Sequence, residues 1–123
     1  MIKGVFPVEQ FRQQDTPFYY YDMALLRKTL DALTAEIEKY GYHQHYAVKA
    51  NANPHILSAI AARGFGADCV SGGEIEAALA CGFPASKIVF AGVGKADWEI
   101  RLGLEHDIAC FNVESLAELR VID

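Results

Sequence analysis

Cysteine is scarce in this sequence and basic charge is scattered. The three cysteines, Cys69, Cys81 and Cys110, stand singly at long spacings. That fits neither a CxxC metal half-site nor the even count of a secreted disulfide framework, so reduced thiols are expected. No block of lysine and arginine occurs, and sixteen acidic residues outweigh eleven basic ones for a net charge of −5. Nucleic acid and anionic membrane are thereby excluded as natural partners. No apolar run approaches the ~18 residues of a membrane span, and the opening MIKGVFPVEQFRQQD is polar where a signal peptide carries its apolar core. A cytoplasmic chain is expected. What remains is globular: 123 residues, 52% hydrophobic and 22% charged, enough for one small domain.

The apolar residues are laid out in a repeating register. The aromatic stretch FYYY, Phe18 to Tyr21, reads as a strand, and Asp22 follows as a helix N-cap. Leu26, Leu30, Leu33 and Ile37 then recur at helical spacing, with Gly41 where a left-handed C-terminal residue belongs. Four similar units follow. Strands are predicted at residues 45–49, 67–71, 87–91 and 108–113, with helices starting at Pro54, Gly73, Ala96 and Glu114. The spacing is about 21 residues, near the minimum for a strand, a short helix and two loops. Such alternation implies an α/β fold with a parallel sheet, and strands apolar on both faces (YAV, IVFA, IACF) agree with that. Short, even, uninterrupted units favour a barrel over a doubly wound sheet. Four units are half of an eightfold barrel, which takes roughly 250 residues, so the expectation is an N-terminal piece of a longer protein.

Two charged residues interrupt these strands. Lys49 ends the run HYAVK, at the strand end where βα barrels build their sites. A buried, unpaired ammonium costs several kcal/mol, so a lysine there needs a partner, a route to solvent or a reaction. It is either a lysine reaching water or a carboxylate, or an amine held to form a Schiff base. Asp68 lies in the next strand, on adjacent ground, as a candidate partner for the lysine or for what it binds. Ser71-Gly72-Gly73-Glu74 makes the turn that follows, with Ser71 as a possible N-cap.

Other motifs are weaker. AGVGKAD suggests a phosphate loop, but Val89 and Ala96 stand where a Walker loop needs glycine and Ser or Thr. Lys95 is then a solvated charge or a substrate contact. His43 and His45 share a strand face without a third ligand at usable spacing, so no metal site is expected. Trp98 reads as packing.

Taken in order, YAVKAN, GADCVSGGE, IVFAGVGK and FNVESLAEL resemble the barrel-type (fold type III) pyridoxal-phosphate decarboxylases that act on basic amino acids. The resemblance covers essentially the whole chain. It implies the N-terminal half of a (β/α)8 barrel of the TIM type over residues 22–123, preceded in residues 1–21 by a strand of a separate β-domain. It places pyridoxal 5'-phosphate on Lys49, Asp68 near the cofactor, and Asn51, Ser71 and Glu74 in support. The implied reaction is decarboxylation of a small amino acid, with meso-2,6-diaminopimelate giving L-lysine and carbon dioxide. Ornithine, arginine or carboxynorspermidine are alternative substrates, and a non-catalytic cofactor-binding barrel is the alternative class. The full-length protein would be a homodimer. The family's phosphate-binding glycines, pyridine-nitrogen acid and catalytic cysteine lie beyond residue 123, so the piece alone is not expected to turn over substrate.

Overall fold

The computed structural model describes residues 4–123 and divides into two compact units, one running to Tyr40 and the other from Gly41 to Asp123. In the first, a single helical turn, α1 (Val8–Phe11), precedes the long helix α2 (Met23–Tyr40). Asp22 starts α2 as expected. Its Oδ1 accepts the Leu25 N–H at 2.8 Å and its Oδ2 accepts the Val5 N–H at 3.1 Å. These donors, Leu25 first, hold the Asp22 carboxyl below the usual carboxylate range. Phe18–Tyr21 forms no strand. A strand needs another strand to pair with, and none of the strand pairings among the described residues involves this segment. Its rings pack locally instead: Tyr20 meets Phe11 edge-on at 4.8 Å and donates its hydroxyl to the Val5 carbonyl at 3.0 Å.

The second unit carries the predicted alternation. β1 (His45–Ala47), α3 (Pro54–Ala61), β2 (Gly66–Cys69), α4 (Gly72–Ala80), β3 (Ile88–Phe90), α5 (Asp97–Glu105), β4 (Cys110–Phe111) and α6 (Leu116–Ile122) follow in order. All strand pairs are parallel, in the order β1-β2-β3-β4. Right-handed crossovers that step one strand at a time without reversing direction put every helix on the same face. A doubly wound sheet reverses its order. The sheet is therefore singly wound, as one arc of a barrel.

Helices α3, α4 and α6 begin where the sequence offers a cap. Asn53 accepts from the His55 N–H with Pro54 in the first turn, and Ser71 and Ser115 accept from Glu74 and Glu118. The apolar faces then turn inward. Ile56, Leu57 and Ile60 of α3, Ile75 and Ala78 of α4 and Ile100 of α5 cover Ala67, Cys69, Ile88 and Phe90 of the sheet. Burying each large side chain stabilises by roughly 1.5–3 kcal/mol. Gly103 lets α5 come close: a Cβ there would stand 2.6 Å from the ring of Phe111.

The strands are shorter than expected, and the shortening moves Lys49. β1 ends at Ala47, and Val48–Ala50 form a 3₁₀ turn closed by the Asn51 N–H on the Val48 carbonyl at 3.1 Å. Val48 is fully buried and Lys49 is exposed. The premise of a lysine within a buried strand is thus corrected, because the chain turns one residue before it. Likewise Ser71 lies beyond β2, Lys87 falls in a 3₁₀ turn before β3, and α6 starts after Ser115 and not at Glu114.

Candidate functional site

The C-terminal strand ends bring the predicted residues to one rim. Lys49 sits in the turn after β1, and its side chain makes no hydrogen bond or ion pair among the described residues. The turn itself is held firmly. Asn51 Oδ1 accepts the Asn53 N–H at 2.9 Å, and the Asn51 carbonyl accepts the Tyr46 hydroxyl at 3.1 Å. A fixed backbone thus presents a free amine.

Asp68 stands beside it. Ala47 and Asp68 are register partners across β1 and β2, so Asp68 is one strand over from the turn that carries Lys49. Asp68 Oδ1 is buried and has no hydrogen-bond partner. Of the two roles expected for Asp68, pairing with the lysine is absent here. The second, pairing with a bound group, matches the orphaned oxygen, since leaving such an acceptor unmet costs ~1–3 kcal/mol. A carboxylate only accepts, so the complementary ligand must bring an N–H or O–H.

Ser71 and Glu74 do something else. Glu74 Oε2 accepts the Val70 N–H at 2.8 Å while Ser71 Oγ accepts the Glu74 N–H at 3.3 Å. The Gly72 N–H goes to Glu99 Oε1 at 2.6 Å. With the Val70, Gly72 and Glu74 amides engaged by the protein's own side chains, the turn over residues 70–74 is no anion cradle. Gly72 serves packing, because a Cβ there would stand 2.6 Å from the Trp98 ring.

Glu99 went unread in the sequence. The only signal was a glutamate three residues after Ala96, which has no side-chain acceptor of its own; Glu99 Oε2 accepts the Ala96 N–H at 2.8 Å. The reach of its other oxygen to Gly72 has no local signature. Lys95 is not a solvated charge. Its side chain is 1% exposed and bonds to Gly92, Asn112 and Glu118. Cys69 is fully buried between these elements. Burial, then the charges of Glu74 and Asp68, push its thiol up to about 12, which makes it inert as a nucleophile.

Residues 24–123 match the family described as pyridoxal-dependent decarboxylase, pyridoxal binding domain. The chain belongs to this family. Among pyridoxal-dependent decarboxylases it is 65% identical over 123 residues to diaminopimelate decarboxylase of Bacteroides thetaiotaomicron, covering 99% of this chain and 32% of that relative. It is similar to the crystal structure of diaminopimelate decarboxylase from Helicobacter pylori complexed with L-lysine. There the TM-score is 0.83 and the identity 44%, over 94% of this chain and 29% of the other. The enzyme from M. jannaschii gives a TM-score of 0.85 at 36% identity, over 94% and 28%. The chain thus spans about a third or less of the relatives it matches. The singly wound βα arc is the N-terminal part of that barrel-type fold. Its residues fit the family's cofactor: an amine free to bond an aldehyde, and beside it a buried acceptor that awaits a donor. Among the described residues no cluster of metal-ligating side chains occurs, and no helix is long and apolar enough to cross a membrane.

Proposed function

We propose that the full-length protein decarboxylates meso-2,6-diaminopimelate to L-lysine and carbon dioxide, with pyridoxal 5'-phosphate held on Lys49. The observation that carries this is the free Lys49 amine on a braced turn, one strand from the orphaned Asp68 Oδ1. The 65% identity to a relative of that name supports the substrate.

When bound, the cofactor supplies an electron sink for the carbanion left as carbon dioxide departs. Lys49 Nζ would hold it covalently and yield its place to the amine of the substrate. Asp68 would orient it by accepting a hydrogen bond at Oδ1. Asn51 fixes the Lys49 turn, and Ser71 and Glu74 fix the turn after Asp68, so all three act through the backbone. In the full-length homodimer residues 22–123 form the first half of the barrel, and the aromatic segment Phe18–Tyr21 supplies a strand to a β-domain. The protein works in the cytoplasm.

Borohydride reduction of the cofactor-loaded full-length protein, followed by peptide mass spectrometry, should place the pyridoxyl group on Lys49. Label on another residue, or none, would overturn the assignment. Carbon dioxide release from diaminopimelate, measured against ornithine, arginine and carboxynorspermidine, decides the substrate. A protein that takes the label and releases no carbon dioxide from any of them is a non-catalytic binder.

A further inference from the structure

The Lys95 side chain is buried and its three donors meet three acceptors: the Gly92 carbonyl at 2.7 Å, the Asn112 carbonyl at 2.9 Å and Glu118 Oε1 at 2.5 Å. The ammonium also lies 5.3 Å from the centre of the Phe90 ring. Its acceptors belong to separate parts of the chain. Gly92 is in the turn after β3, at φ +99° and against the Val70 carbonyl, while Asn112 directly follows β4. Glu118 is on α6, where its second oxygen accepts the Glu114 N–H at 2.8 Å and its own N–H donates to Ser115 Oγ at 3.1 Å. One side chain therefore ties the third βα turn to the fourth.

Stability alone is a weak reason for this arrangement. A buried ion pair recovers little more than the desolvation of its two charges, and apolar replacements are often as stable. What the three bonds do fix is the relative placement of two turns, both on the rim where Lys49 and Asp68 lie. We propose that Lys95 is a positioning residue that sets the 91–95 and 112–115 turns for the decarboxylation, an inference that rests on the function proposed above. Lys95 touches no reacting atom.

The test uses the full-length protein with Lys95→Met, Lys95→Arg and the double variant Lys95→Met/Glu118→Gln, which removes the stranded carboxylate charge. Amide exchange is measured without cofactor, and Tm, kcat and KM with it. Lys95→Met is expected to speed exchange in both turns together and to lower kcat/KM about ten- to a hundredfold, the scale of a small misplacement. The double variant should regain the wild-type Tm while exchange stays fast and kcat/KM stays low. Lys95→Arg, whose planar fork cannot meet the same three acceptors, should resemble Lys95→Met. If the double variant recovers kcat/KM along with Tm, or exchange in the two turns is unchanged by Lys95→Met, the proposal is wrong. Where Lys95→Met does not fold, the double variant carries the comparison. A wild-type protein that releases no carbon dioxide refutes the function reading, and the exchange measurement still decides whether Lys95 couples the turns.

Discussion

Glu99 accepts the backbone N–H of Gly72 at 2.6 Å across twenty-seven residues of chain. The bond joins the start of α5 to the turn that follows Asp68, and the backbone can approach only because Gly72 has no side chain.

Gly72→Ala is therefore expected to destabilise by about 1–3 kcal/mol, the usual cost of overpacking, since the new methyl meets the Trp98 ring. Gly73→Ala is the control. Nothing lies within 4 Å of its Cβ position and its φ is not left-handed, so it should gain about 0.4–1 kcal/mol. Urea unfolding of the two variants checks this, and equal midpoints would show that Trp98 does not constrain the turn.

The contrast between these neighbours shows what a sequence can disclose here. The βα alternation was legible because the helices have a local period and most of them a local cap, as at Asn53-Pro54, Ser71 and Ser115. Lys49 and Asp68 were legible because a charge in an apolar run stands out against its surroundings. Strand ends were not, because the turn at Val48–Ala50 is made by backbone bonds that any residues could form. The same holds for Phe18–Tyr21, whose aromatic composition suits a strand but whose pairing partner is not a local property. Lys95 and Glu99 act across 17 and 27 residues respectively, at Asn112 and Gly72. Distances of that kind depend on the packing of whole βα units.

Asp68→Ala separates binding from folding. In the cofactor-free protein it removes an acceptor that has no partner, so the unfolding free energy should stay within about 1 kcal/mol of wild type or rise. Cofactor affinity should fall roughly ten- to a hundredfold, the worth of a hydrogen bond to a charged group. Thermal unfolding without cofactor and titration with pyridoxal phosphate measure the two effects. A large stability loss with unchanged affinity would make Asp68 a structural residue.

Stability in acid should report on Glu118. The Lys95 ammonium first, and then the Glu114 N–H, hold its carboxyl below the ordinary value of 4.5. A carboxylate with a lowered folded pKa adds stability that is complete above the ordinary value and is lost as pH falls through the folded one. Glu118→Gln should thus lower Tm at neutral pH, and the gap to wild type should close as pH falls below 4.5. Melting curves taken from about pH 3 to pH 7 test the sign. A gap that is constant with pH would mean that the charge of Glu118 contributes nothing.

Cys69 lies next to Asp68 and could be mistaken for a reactive group of the site. It is fully buried, and the rise of its thiol from 9.0 to about 12 lowers the thiolate fraction on the order of a thousandfold. In the folded protein at mildly alkaline pH the Cys69 peptide should stay unmodified by iodoacetamide, and urea should make it react at the rate of an ordinary thiol. Peptide mass spectrometry of both samples gives the answer. Modification of Cys69 before unfolding would mean that solvent reaches the strand behind Asp68, and the buried setting that leaves Asp68 Oδ1 waiting for a ligand would fall with it.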